Sequence, residues 1–157
     1  MAVKVGLDTM VWIHWISDSD DPEHDSIHKL RSFFLDVTED AEIILLDMVE
    51  AEIEYKIRTN DGLSEDERQT RLDQLEQAER SDKVFIEKAR MNEAKLKGHV
   101  SRGGDFQDAV ILSHLSKSMA DFFVTADEDL RRQADWDDVK QVMKPGSALK
   151  VVRDHLQ

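Results

Sequence analysis

Short apolar runs alternate with amphipathic stretches along the chain, and their periods predict a succession of strands and helices. Val3-Lys4-Val5-Gly6-Leu7 alternates in a β-prone run that ends at Asp8, a first strand. Thr9 to Ile16 (TMVWIHWI) is apolar nearly all round, which predicts a short buried helix. Asp18 to Pro22 reads as a turn, with Pro22 in the first turn of a helix reaching about Val37. Its inner face carries Ile27, Leu30, Phe33 and Phe34. Ala41 to Leu46 (AEIILL) is apolar enough for a strand covered on both faces of a parallel sheet. Asp47 and Glu50 have capping-box spacing and open a helix through Ile57, which Asn60-Asp61-Gly62 ends. Ser64 and Glu67 form a second box, beginning a charged helix to about Arg80 with Leu72 and Leu75 inward. Ser81-Asp82 is read as the cap of a further helix, Val84 to Lys97, stopped by Gly98. After Gly103-Gly104 a helix is expected from about Asp105 to Met119, followed by a strand, Phe122 to Thr125. Val139 to Met143 then forms a closing edge strand, and Pro145-Gly146 starts a C-terminal helix, Ala148 to His155.

That order implies an α/β fold, a parallel sheet with helices packed on it. With 157 residues, 40% of them hydrophobic, the chain reads as one domain, 1–157, carrying a charged helical insert at about 64–97. Repeats, low-complexity segments and domain linkers are absent from the sequence. So are cysteines, which excludes disulfides, thiolate metal sites and a cysteine nucleophile. No apolar run approaches the ~18 residues of a membrane span. The N-terminus, MAVKVGLD, turns polar too soon for a secretory signal, so a soluble cytoplasmic protein is expected. A formal net charge of −13 does not attract nucleic acid over long range. A polyanionic substrate would therefore need local cations.

Candidate chemistry lies in the acids. Asp8 ends the first strand. Glu52 is about one turn into the helix after the second, and its projection falls between Met48 and Val49, which face the core. Asp108 sits in the first turn of the helix before the third strand, on one stripe with Leu112, Leu115 and Met119. Asp127 follows that strand. A helix runs antiparallel to the strand it feeds, so all four acids reach one sheet edge, where open α/β sheets bind ligands. Each acid also has a purely local reading. Asp8 can cap the helix starting at Thr9, Asp108 suits a helix dipole behind an Asp105 cap, and Asp127 can start a helix. Capping accounts for any one of them and poorly for four sharing an edge. Clustered carboxylates raise each other's pKa unless a cation neutralises them. Oxygen ligands without cysteine select Mg²⁺ or Mn²⁺, whose natural chemistry here is metal-assisted phosphodiester hydrolysis.

At VGLDTMVW, VEAEIEYKI, DFQDAVILSHL and FFVTADEDL, and again at VMKPGSALKVV, the chain resembles PIN-domain proteins. It is similar within them to the VapC-like toxin ribonucleases of type II toxin–antitoxin systems. The resemblance covers essentially the whole chain. It implies a three-layer α/β/α sandwich with a central parallel sheet of four to five strands, a divalent-metal site and cleavage of single-stranded RNA, with structured RNA as the alternative substrate. It further implies frequent homodimers and an antitoxin protein as partner. Residue by residue, it makes Asp8, Glu52, Asp108 and Asp127 the catalytic metal carboxylates. Thr125 becomes the hydroxyl positioning Asp127, Thr9 acts similarly beside Asp8, and Asp105 supports Asp108.

The most basic stretch, Lys88 to Arg102, leads into the Asp108 helix. Lys95, Lys97 and Arg102 are therefore candidate RNA contacts, against the alternative of a solvated helix face. His99 is a candidate phosphate contact. His14 and His114 read as packed residues, and Trp12, Trp15 and Trp136 as core or interface anchors, with Trp12 and Trp15 able to line a dimer contact. A dehalogenase-like phosphatase would need an acid where Met10 stands, and a receiver domain an acidic pair where Leu7-Asp8 stands. The rival that survives is a non-catalytic acidic α/β domain acting through protein partners.

Overall fold

The computed structural model describes residues 2–17, 24–137 and 141–156. The predicted turn at Asp18 to Pro22 and the start of the last strand at Val139 lie outside those residues. Five strands form one parallel sheet: β1 (Val3–Leu7), β2 (Ala41–Leu46), β3 (Val84–Glu87), β4 (Phe122–Val124) and β5 (Gln141–Met143), in the order β3-β2-β1-β4-β5. Among the described residues there are eight α-helices: α1 (Thr9–Ile16), α2 (Asp25–Ser32), α3 (Asp47–Arg58), α4 (Glu65–Glu79), α5 (Glu93–Ser101), α6 (Phe106–Leu115), α7 (Glu128–Ala134) and α8 (Pro145–Leu156). Helices α1 to α4 pack on one another and α2 on α8, while α5, α6 and α7 pack among themselves. The sheet lies between, an α/β/α sandwich. No helix among the described residues is long and apolar enough to cross a membrane.

Where the pattern is strong, structure follows it. All four residues from Ile43 to Leu46 are buried, as a strand covered on both faces requires. Ile27, Leu30, Phe33 and Phe34 are buried along α2 and the π-helical turn that continues it, Phe33–Val37. Trp12 and Trp15 pack at 6.3 Å between ring centroids, and Trp15 meets Phe34 edge-on at 5.7 Å. Both tryptophans are buried core residues and offer almost no surface to a dimer contact. The Ser64 capping box forms with both reciprocal bonds.

Helix α6 stops at Leu115, short of the expected Met119, which is 41% exposed. Two other expectations fail for identifiable reasons. Val84 to Lys97 is not one helix. Val-Phe-Ile is a β-prone run and pairs with β2, Ile43 opposite Val84 and Leu46 opposite Glu87. Helix α5 begins only after an Asn92 cap. The edge strand is fastened by a buried carboxylate, Glu87, which accepts the Ser118 hydroxyl and the Met119 N–H. The Asp47–Glu50 capping box is likewise absent. Leu46 holds the cap position, Asp47 accepts the Ala89 N–H at 3.0 Å, and Glu50 turns to share a hydrogen bond with Glu79 of α4.

At the centre of the sheet Gly6 of β1 lies opposite Phe123 of β4. A Cβ on Gly6 would come within 2.8 Å of the Phe123 ring, which is fully buried. Gly6→Ala is expected to destabilise the fold by about 1–3 kcal/mol through overpacking, read as a lower denaturant midpoint at unchanged slope. The Glu79 carboxyl is pushed up to about 8, first by burial, then by its bond to Glu50 and by the charges of Glu50, Glu54 and Glu76. The folded state thus holds this proton more tightly than the unfolded chain, whose carboxyl titrates near the ordinary 4.5. That contribution is complete below about pH 4.5 and is lost as pH rises through about 8. Glu79→Gln should therefore be more stable than wild type above pH 8, the gap closing towards pH 4.5 in a denaturation series.

Candidate active site

Strand order reverses at β1, with β2 on one side and β4 on the other, so the crevice beyond their C-terminal ends is a topological switch point. Leu7 pairs with Val124, and the Asp8 N–H donates to the Val124 carbonyl at 2.9 Å. Asp8 and Thr125 are thereby brought side by side, 117 residues apart in sequence. The Thr125 hydroxyl donates to Asp8 Oδ2 at 2.6 Å and accepts the Asp127 N–H at 3.0 Å. One buried hydroxyl positions both acids. Asp8 also caps α1, Oδ1 accepting the Thr9 N–H at 2.8 Å. Asp127 caps α7, Oδ1 accepting from Asp129 and Leu130.

On the other helical layer Asp105 caps α6, accepting the Gln107 and Asp108 N–H groups. Asp108 is held by Gln133 of α7, whose Nε2 donates to Oδ2 at 2.9 Å. Glu52 sits half-exposed on α3, 3.5 Å from Lys56 Nζ one turn later. Asp8, Thr9, Glu52, Asp108 and Asp127 all line one cleft of about 810 Å³.

Burial pushes the Asp8 carboxyl up; the Thr125 and Thr9 bonds oppose this, and Glu52 and Asp127 add to it. Asp108 is raised by burial first, against the Gln133 bond, and further by Asp127, Asp105 and Asp8. The acids therefore feel one another. Among the described residues no group of three or more carboxylates or histidines is preassembled at metal-binding spacing; each acid is held instead by a protein partner. The donor set nonetheless suits a hard divalent cation. It is all oxygen and mutually repelling, and the buried Thr9 hydroxyl beside Asp8 has no hydrogen-bond partner.

The basic stretch does not reach this cleft. Lys95 and Lys97 lie on α5, Arg102 donates to the Trp136 carbonyl at 3.0 Å, and none of the three lines the site. His99 is fully buried and stacked on Trp136, which removes it as a phosphate contact. His114 is buried too, and burial pushes its pKa down. Among the described residues that line the cleft, Lys56 is the one cation. Its i+4 spacing from Glu52 was the available signal. Gln133, 25 residues from Asp108, offered none.

A family model described as PIN domain matches residues 5–135, a span that includes all four acids. No curated protein sequence matches. Among solved structures the chain is similar to the crystal structure of PAE2754 from Pyrobaculum aerophilum. The TM-score is 0.61 at 17% identity, with 98% of this chain and 92% of that one covered. At that identity the likeness is one of fold. The chain belongs to the PIN domain family, whose members are generally metal-dependent nucleases.

Proposed function

We propose that this chain is a Mg²⁺- or Mn²⁺-dependent endoribonuclease of toxin-like type, cutting single-stranded RNA. Asp8, Glu52, Asp108 and Asp127 are its metal carboxylates. One observation carries the reading: acids from four separate segments line a single cleft at the switch point, where burial raises Asp8 and Asp108. Held by these four carboxylates, a divalent cation would supply an acidified water and offset charge on the phosphate. The chain's own part is positional. Thr125 fixes Asp8 and the start of the Asp127 turn, Gln133 fixes Asp108, and the α1 and α7 N-termini orient two of the carboxylates. On this reading the protein works in the cytoplasm, with an antitoxin protein and a second copy of itself as partners.

A second reading has its own support, because every acid already has a protein partner: the domain is non-catalytic and acts through other proteins. Calorimetric titration with Mn²⁺ separates the two. Binding by wild type that Asp8→Asn abolishes supports the nuclease, and no binding by either supports the interaction domain.

Asp108→Asn should lower RNA cleavage by more than the roughly 10–100-fold that loss of an outer-sphere partner costs. Its fold should be retained or slightly stabilised without metal, since burial and neighbouring acids disfavour the charge. Wild-type rates would remove Asp108 from the mechanism. Thr125→Val keeps the buried shape and deletes both hydroxyl bonds, so Mn²⁺ affinity should fall by about 10- to 100-fold, measured in the same titration.

A further inference from the structure

The carboxylate cleft is bordered by side chains that metal binding does not explain. Tyr55 and Phe106 are large and aromatic, yet 67% and 65% exposed, and both line the cleft. They come from the two helical layers: Tyr55 from α3, one turn after Glu52, and Phe106 from α6, two residues before Asp108. Lys56 adjoins Tyr55, its Nζ 3.5 Å from Glu52 and 3.9 Å from the Met10 sulfur.

Neither ring is needed by the core, which is complete without them. An occupant that matches this cleft carries an anionic centre for the acids and their cation, another anionic group for Lys56, and flat apolar faces for two rings. A single nucleic-acid strand has that repeat, because every base offers a π-face beside a phosphate. A duplex does not, its bases being stacked on one another. A net charge of −13 also leaves little room for a grip on phosphates alone. An acidic peptide would meet the same carboxylates without gaining the stacking.

Resting on the ribonuclease reading, we propose that Tyr55 and Phe106 are stacking platforms for nucleobases on either side of the phosphate held at the acids, with Lys56 taking an adjoining phosphate. The strand is thereby gripped through its bases, with little regard to their identity.

The test is carried out in the uncut Asp108→Asn background with saturating Mn²⁺, by fluorescence anisotropy on two short RNA strands. One bears all its bases and the other is abasic with the same phosphates. The parent should bind the base-bearing strand more tightly, by about fivefold to a hundredfold per stacked base. Tyr55→Ala with Phe106→Ala should erase that preference while leaving affinity for the abasic strand unchanged, and Tyr55→Phe with Phe106→Tyr should restore it. Equal binding of both strands by the parent overturns the proposal. So does a preference that survives the double alanine variant. If no strand binds at all the proposal also fails, and the rings belong to a protein contact instead. Wild-type RNA cleavage and Mn²⁺ titration, run in parallel, report separately on the ribonuclease reading, which can stand when the stacking proposal falls.

Discussion

Pairing of β1 with β4 is the constraint on which the site depends. The two strands are distant in sequence, yet their register sets Leu7 opposite Val124 and leaves Asp8 and Thr125 as the next residues out. The 2.6 Å hydrogen bond between them is a consequence of that register. A slip by one residue would turn every side chain of the strand to the other face and separate the hydroxyl from the carboxylate. Gly6 and Phe123 oppose such a slip: the ring fills the space that the missing side chain leaves. Core packing and acid geometry are therefore one requirement expressed at adjacent positions.

Carboxylates kept partly out of water need compensation, and this fold supplies much of it through helix N-termini. Asp8, Asp105 and Asp127 each accept backbone N–H groups as caps, and Asp108 sits in the first turn of α6. Capping and cleft-lining are not competing roles here. The cap bond consumes part of a carboxylate's accepting capacity, fixes its rotamer and lets the helix dipole favour its charge. Burial still raises the Asp8 and Asp108 carboxyls, and the neighbouring acids add to that. A cation is suited to relieve it.

Much of this was legible in the chain. Strands β1 and β2, helix α1 and the Asp105 cap follow from local pattern, because alternation, β-branched runs and Asp or Ser before an apolar stretch have direct physical causes. The convergence of Asp8, Glu52, Asp108 and Asp127 follows from strand polarity alone. What escaped was non-local. Val84–Glu87 is too short to outweigh the charged helical pattern around it, and only pairing with β2 makes it a strand. Glu50 has ideal capping spacing, yet Glu79 of α4 claims it. Arg102 leads into the Asp108 helix in sequence, yet it donates to the Trp136 carbonyl and does not line the cleft. Partners brought together by the tertiary fold carry no signature in the local sequence.

The acidity of the chain and the proposed polyanionic substrate are reconcilable once charge is resolved by place. Exposed charges more than about 8–10 Å apart are largely screened at physiological salt, so the −13 total acts mainly on approach and weakly within the cleft. Inside it the balance is local: carboxylates that a cation can neutralise, Lys56, and two exposed rings. A site of that composition gains little from long-range steering and most from contacts made after encounter. On the proposed reading, association with a strand should then be slow compared with basic nucleic-acid-binding domains, with affinity residing in how long the strand stays. On the proposed ribonuclease reading, that distribution favours strands whose bases are already free to stack.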